Sequence, residues 1–348
     1  MAFKIGVGLF TGQVPAQSDL SFHQDYRDAI HLVEVAEEAG FDSAWVSEHH
    51  GAADGYLPSL LPLLAAFAAR TERIELGTGV VLAPFHDPLR LAEDFAVVDQ
   101  ISGGRVICGL GIGWREEEFR AFGIDVSSRV RRLTEIVEIL KLAWTGERFD
   151  YRGRHYSYEA VAVTPPPARP LPVYVGGFVD AAIARAGRIA DGYISSRAQP
   201  DRVADAFRLA SEARRGAGRQ GEPLAALLQN AFVTEDPDGD WPMVRAGIGH
   251  QLGVYAGWRR GTDVPGAPLE VTAPPDASMR STTAYGTPAE VAGFLEPLAS
   301  LLGRHPESHL ILRFHYPGMD AAPAAESIRL FARAVAPRLR EAAAGAGG

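Results

Sequence analysis

Short apolar runs rich in valine and isoleucine alternate along this chain with longer stretches in which apolar residues recur every three to four positions. Continuous apolar runs suit strands buried on both faces, whereas the longer spacing suits helices that lay one face on a sheet. The pattern predicts strands at about residues 3–10, 43–47, 74–81, 106–110, 173–176, 192–195, 227–234 and 309–314. It predicts helices at about 22–39, 57–70, 89–101, 128–144, 180–190, 200–217, 288–302 and 322–343. Gly40 stands as a helix stop, and Thr287-Pro288-Ala289-Glu290 reads as N-cap, first-turn proline and capping carboxylate. Repeated β/α units that end in a helix favour a closed (β/α)8 TIM barrel over a doubly wound open sheet. The expectation is therefore an α/β protein, with residues 1–348 forming one barrel domain.

Two stretches interrupt the alternation. Residues 148–163, containing Tyr151-Arg152-Gly153-Arg154-His155-Tyr156, predict a hairpin after the fourth helix, on the N-terminal side of the barrel, where its role would be packing. Residues 235–286 follow the seventh strand and so emerge from the C-terminal face; such connections usually take only about 2 to 6 residues. A connection this long reads as a lid or binding segment. Its Trp241, Tyr255 and Trp258 are candidates for ligand contact, while Pro265, Pro268, Pro274 and Pro275 predict an irregular course.

Composition narrows the partners. A net charge of -9 offers no electrostatic attraction to nucleic acid or to an anionic membrane surface. Cys108, the single cysteine, excludes an intramolecular disulfide and sits in the apolar run Val106-Ile107-Cys108-Gly109-Leu110 as a small hydrophobe. Met1-Ala2-Phe3-Lys4-Ile5 leads directly into strand-like alternation, without the features of a signal peptide, and no apolar run reaches the ~18 residues of a membrane span. A cytoplasmic enzyme acting on a small molecule is the expectation.

In a β/α barrel, chemistry gathers where strands end. The second strand ends in Glu48-His49-His50, which suits acid/base work or metal binding, or simply mutual hydrogen bonding at the rim. His86 and His315 could complete a metal site, but no spacing here is diagnostic of one, so none is expected. Gly176-Gly177, just before the helix at Asp180, could admit a phosphate to backbone amides, with Arg129 as its partner, or could simply make a tight turn. Gly111-Ile112-Gly113 lacks the third glycine of a dinucleotide fingerprint. Together with Gly109 it could leave room for something flat at the barrel mouth.

Taken together, several segments resemble the bacterial luciferase-like family of flavin-dependent oxidoreductases over nearly the whole chain. They are Ser47-Glu48-His49-His50, Gly77-Thr78-Gly79 with Asp87-Pro88-Leu89-Arg90-Leu91-Ala92-Glu93-Asp94, and Asp99-Gln100-Ile101-Ser102-Gly103-Gly104-Arg105. Further on come Gly113-Trp114 with Glu118-Phe119-Arg120-Ala121-Phe122-Gly123, Tyr174-Val175-Gly176-Gly177, and Leu312-Arg313-Phe314-His315-Tyr316-Pro317-Gly318-Met319.

The resemblance implies a barrel that takes reduced FMN from a separate NAD(P)H:flavin reductase and reacts it with O2 to a C4a-hydroperoxide. That species would oxygenate an apolar or aromatic small molecule, by hydroxylation or Baeyer-Villiger insertion. The resemblance makes His49 the flavin-side histidine and Glu48 its orienter. It assigns Gly77, Thr78, Gly79, Val80 and Trp114 to the ring, with a non-prolyl cis peptide at Gly79-Val80, and Arg129, Val175, Gly176, Gly177 and Phe178 to the phosphate side. His50, His86, Trp241, Tyr255, Trp258 and His315 remain as substrate or lid candidates. Residues 176–184 contain no Ser or Thr, and luciferase's reactive thiol aligns nearer Gly111 than Cys108; both departures argue against light emission and a long-chain aldehyde substrate. A related branch of the family uses 8-hydroxy-5-deazaflavin for hydride transfer, and this is the alternative. A non-catalytic flavin-binding protein is a third reading. A homodimer is expected from the family.

Overall fold

In the computed structural model, which describes residues 2–197, 199–260 and 271–346, eight strands pair in chain order and the last returns to the first. They are β1 Ala2–Phe10, β2 Ser43–Val46, β3 Glu75–Thr78, β4 Val106–Gly111, β5 Val173–Gly176, β6 Gly192–Ser195, β7 Leu224–Val233 and β8 Glu307–Arg313. Every pairing around the ring is parallel, and β1 closes it with Val7 opposite Ala44 on one side and Leu312 on the other. This is the expected (β/α)8 TIM barrel. The principal helices between and after the strands are α1 Phe22–Glu38, α2 Leu60–Arg70, α3 Pro88–Ser102, α4 Arg129–Ala143, α5 Asp180–Ile189, α6 Pro200–Gly216, α7 Pro288–Leu302 and α8 Ala321–Ala334. Thr287 and Glu290 form the anticipated reciprocal cap on α7.

Alternation along each strand separates two cores. Ala44, Val46, Leu76, Val106, Cys108, Val173 and Leu310 face outward and pack beneath the helices. Trp45, Ile107, Tyr174, Ile194, Ala226 and Ile311 face inward and fill the barrel. The inner layer accommodates its large rings because their neighbours are glycines: a Cβ at Gly77 would lie 2.3 Å from the Trp45 ring, and one at Gly192 would lie 2.4 Å from Tyr174. At the N-terminal end Ser43 Oγ lies 3.0 Å from His309 Nδ1, and Lys4 pairs with Glu75 and Glu307. That end is plugged by polar groups bound to one another, which leaves the C-terminal mouth for chemistry.

Several boundaries depart from expectation. The strand predicted over 74–81 is divided: β3 stops at Thr78, the Gly79-Val80 peptide is cis, and Val81–Leu82 pairs separately with Leu110 and Gly111 of β4. The final helix is broken at Val335, and Ala336–Ala346 continues it, because Pro337 cannot donate a backbone hydrogen bond and crowds the preceding turn. The hairpin Phe149–Arg152 and Ser157–Val161 does not stay at the N-terminal side. It climbs back along α4, with Tyr151 bonded to Glu138, three backbone amides of its tip on Glu135, and Tyr156 reached by Arg132 in the helix's first turn. Tyr158 then meets Asp87, the N-cap of α3.

The connection 235–286 is not an irregular loop. It opens with a long helix, Pro237–Arg260, and later forms a short helix, Asp276–Ser281, and a strand, Thr283–Gly286, that extends the edge of β7. Pro265 and Pro268 lie outside the described residues. Among the described residues no helix is long and apolar enough to cross a membrane.

Candidate active site

The chain leaves β2 through Ser47, Glu48, His49 and His50, and successive side chains turn to opposite sides. Glu48 and His50 go one way: His50 Nε2–H donates to Glu48 Oε1 at 2.6 Å, His86 Nε2–H donates to the same oxygen at 3.0 Å, and the Leu82 amide donates to Oε2 at 2.9 Å. Burial opposes ionisation of Glu48, yet the hydrogen bonds and charges of His50 and His86 outweigh it and hold the carboxyl down to about 2. The same carboxylate raises His86 against the effect of its burial.

His49 turns the other way, so Glu48 is not its orienter. Its Nδ1–H instead donates to Glu118 Oε1 at 2.9 Å, from the short helix Glu116–Ala121 that follows β4. Glu118 also accepts the His50 amide at 2.9 Å and lies 3.5 Å from Arg115, whose guanidinium stacks 4.0 Å over Trp258. A carboxylate can only accept, so in the neutral imidazole this contact places the proton on Nδ1 and leaves the Nε2 lone pair available. Both side chains are buried, and among the described residues Glu118 Oε2 has no hydrogen-bond partner.

An aromatic enclosure surrounds that imidazole. Trp258 lies 4.7 Å from it, Tyr56 4.8 Å, Tyr255 5.5 Å and Trp114 6.3 Å, centroid to centroid. The Tyr56 hydroxyl donates to Ser47 Oγ at 3.1 Å and lies 3.1 Å from the Tyr255 hydroxyl. Two of the three aromatic residues singled out in the long connection therefore stand at His49. Trp241 does not: it donates to Asp276, lies under Arg280 and packs on Tyr285. His315 is bonded to the Met319 carbonyl at 2.7 Å, and burial lowers its pKa. Among the described residues no three His, Cys, Asp or Glu side chains are arranged to hold a metal ion.

On the neighbouring strands, Val80 sits between two glycines: a Cβ at Gly111 would approach it to 2.6 Å and one at Gly176 to 3.3 Å. A Cβ at Gly109 would strike the Thr78 carbonyl at 1.9 Å. The small residues of β4 thus admit the protein's own Thr78 and Val80 rather than leaving open space for a flat ligand. Thr78 Oγ1 is in turn bonded to Gly109, and Gly77 packs against Trp45, inside the barrel.

After β5, Val175 is buried and Gly177 lets the loop close on Ala182 of α5, where a Cβ would come within 2.5 Å. Phe178 and Val179 are exposed, and Val179 caps α5 without a side-chain hydrogen bond. Arg129 begins α4 near this helix: burial, then the charges of Arg188 and Arg129, lower the Arg185 guanidinium. Arg129 and Arg185 are thus close enough to act on each other's charge, while Arg188 stands in the last turn of α5 and Asp180 in its first.

Sequence reading missed Tyr56, Arg115, Asp54 and His250, and assigned no role to Glu118. Asp54 Oδ2 accepts Gln13 Nε2–H at 2.7 Å and His250 Nε2–H at 2.8 Å, which joins the loops after β1 and β2 to the long helix. Only the placement of Glu118 in a family motif pointed toward any of them.

The chain is similar to known proteins over nearly its whole length. F420-dependent glucose-6-phosphate dehydrogenase of Nakamurella multipartita is 30% identical over 328 residues, covering 89% of this chain and 91% of that protein. The enzyme of the same name from Microbacterium testaceum is 29% identical over 321 residues, covering 88% and 91%. The crystal structure of monooxygenase RslO1 from Streptomyces bottropensis superposes with a TM-score of 0.79 at 25% identity, covering 97% of this chain and 99% of that one. The luciferase-like monooxygenase family matches residues 3–305, and this chain belongs to that family.

Proposed function

We propose that the protein is a deazaflavin-dependent oxidoreductase that removes hydride from an alcohol carbon of a small molecule. The observation that carries this reading is His49, fixed through Nδ1 by Glu118, with Nε2 open in an aromatic enclosure. Oxidising an alcohol releases a hydride and a proton, and an imidazole in this state can take the proton. The relatives are named as F420-dependent, which favours 8-hydroxy-5-deazaflavin over the reduced FMN anticipated from the resemblance.

A deazaflavin, when bound, supplies a two-electron hydride acceptor that does not require O2. The residues present fit such a group. Val80, propped by Gly111 and Gly176, offers an apolar backing at the mouth, and Trp114 is partly exposed on the His49 side. Arg129, Arg185 and the turn at Gly176, Gly177 and Phe178 suit its phosphate. Glu118 orients His49 and stabilises the imidazolium that forms when His49 accepts the proton. Tyr255 and Trp258, carried on Pro237–Arg260, exclude water from that proton. The helix Pro237–Arg260 thereby acts as a cover on the C-terminal face.

A second reading, oxygenation with reduced FMN, draws on the structural likeness to monooxygenase RslO1. The two separate in one experiment. The purified chain is titrated anaerobically with oxidised deazaflavin and, in parallel, with reduced FMN. Each complex is then offered glucose 6-phosphate, other alcohols, or O2. Deazaflavin binding is expected, with anaerobic loss of its visible absorbance on addition of an alcohol, slowed roughly 10²- to 10⁴-fold by His49→Ala. Binding of reduced FMN alone, with substrate consumed only in O2, would replace hydride transfer with the second reading.

A further inference from the structure

Three polar side chains stand abreast at the mouth, on the strands opposite Val80 and the β5 loop. The register sets Asn230 of β7 against Arg313, the last residue of β8, and against Thr283 of the adjoining strand. Two residues earlier the same register pairs Leu228 with Ile311, both in the barrel interior. Side chains two apart share a face, so Asn230 and Arg313 also point inward. Thr283 lies on the face of Tyr285, whose ring stacks on Phe232, two residues beyond Asn230.

Arg313 is 4% exposed and Thr283 2%, yet among the described residues Arg313 Nη1 and Thr283 Oγ1 have no hydrogen-bond partner. Among the described residues the Arg313 guanidinium makes no ion pair and no hydrogen bond. A buried guanidinium cannot lower its cost by losing its proton, and without a counter-charge it opposes folding. Its planar donor fork matches an oxyanion. Neither lysine competes for an anion there, since Lys4 is paired at the N-terminal end and Lys141 with Asp191. Arg313 also sits near the chemistry, since its charge acts on the Tyr255 hydroxyl, and the Tyr255 ring packs on His49.

We propose that Arg313, with Asn230 and Thr283 beside it, receives an anionic oxygen group, phosphate or carboxylate, at the remote end of the substrate whose reacting carbon lies at His49. The assignment to substrate rests on the hydride-transfer reading, with the cofactor on the β3, β4 and β5 side. The anion site itself rests only on the register and the unpaired guanidinium.

The test is calorimetric titration of the full chain with inorganic phosphate and, separately, with acetate, for the wild type, Arg313→Met, Arg313→Lys and Thr283→Val. Binding of either anion is expected, weakened at least about tenfold in Arg313→Met, partly restored in Arg313→Lys and weakened a few-fold in Thr283→Val. The Met variant should melt no lower than wild type, because an unpaired buried charge is removed. Its deazaflavin affinity should stay within about twofold of wild type. Phosphate binding without acetate, or the reverse, supports the site and identifies the substrate's group. Failure of both anions to bind wild type, or equal binding by Arg313→Met, overturns the proposal. Loss of deazaflavin affinity in a well-folded Arg313→Met also overturns it, by giving the residue to the cofactor. Anion binding that depends on Arg313 in a chain that binds no deazaflavin would end the hydride-transfer reading and leave the anion site standing.

Discussion

Glu48 and Glu118 divide two adjacent histidines between them, and their neighbours impose different consequences on pH. Glu48 is held at about 2, against 4.5 for an ordinary glutamate. Between those values the unfolded chain binds the proton that the folded chain refuses. Stability from Glu48 is therefore complete above pH 4.5 and falls away toward pH 2. His86 is raised above 6.5, so its share of the same contact is complete below 6.5 and fades as pH rises through its folded value. The contact should contribute most between pH 4.5 and 6.5. Glu48→Gln is expected to lose about 3 kcal/mol there and to flatten the acid limb of melting temperature against pH. A variant whose acid limb kept the wild-type slope would show that Glu48 does not govern it. The sequence placed Glu48 beside His49, but neighbours on an extended segment point apart, and Glu118, 69 residues away, has no local signal tying it to His49.

At the scale of elements, the barrel was legible because burial on both faces leaves near-continuous apolar runs, and those runs recur with helices between them. What periodicity does not carry is how strands fit sideways. Gly77 illustrates it: in the sequence it is a family-motif glycine, and in the barrel it is the space into which Trp45 packs. Gly77→Ala would place a Cβ 2.3 Å from that ring. It is expected to lower stability by about 1 to 3 kcal/mol in denaturant titration, with rescue by adding Trp45→Leu. An unchanged midpoint would mean that the ring moves freely. The helix Pro237–Arg260 was hidden for a related reason. Its glycines are poor helix formers, yet Gly247 lies where a Cβ would meet Tyr316 at 2.4 Å, and Gly253 where one would meet Val271 at 2.5 Å. Tertiary approach, not helix propensity, selects glycine there. Tyr56 and Asp54, in a polar loop, carried no periodic signal at all.

For the molecule as a whole, the question is how a helix from the seventh connection is kept over chemistry built on the second and fourth strands. Among the described residues two polar ties hold it to the loop after β2, His250 to Asp54 and Tyr255 to Tyr56, with Trp258 wedged against His49 and Arg115. Asp54 is buried and shares one oxygen between His250 and Gln13, so it reads the positions of three segments at once. Removing the His250 ring leaves the carboxylate its Gln13 contact but cuts the helix from the β2 loop. A hydrogen bond to a charged acceptor contributes about 1.5 to 3 kcal/mol, so His250→Ala should speed amide exchange in residues 244–258 by roughly ten- to a hundredfold. Exchange in β1 to β8 should remain as in wild type, because the barrel core does not pass through this contact. If the barrel strands speeded up equally, the helix would belong to the same cooperative unit as the core and could not open separately. If neither changed, Trp258 and its neighbours alone would hold the cover, and Trp258→Ala would be the variant that frees it.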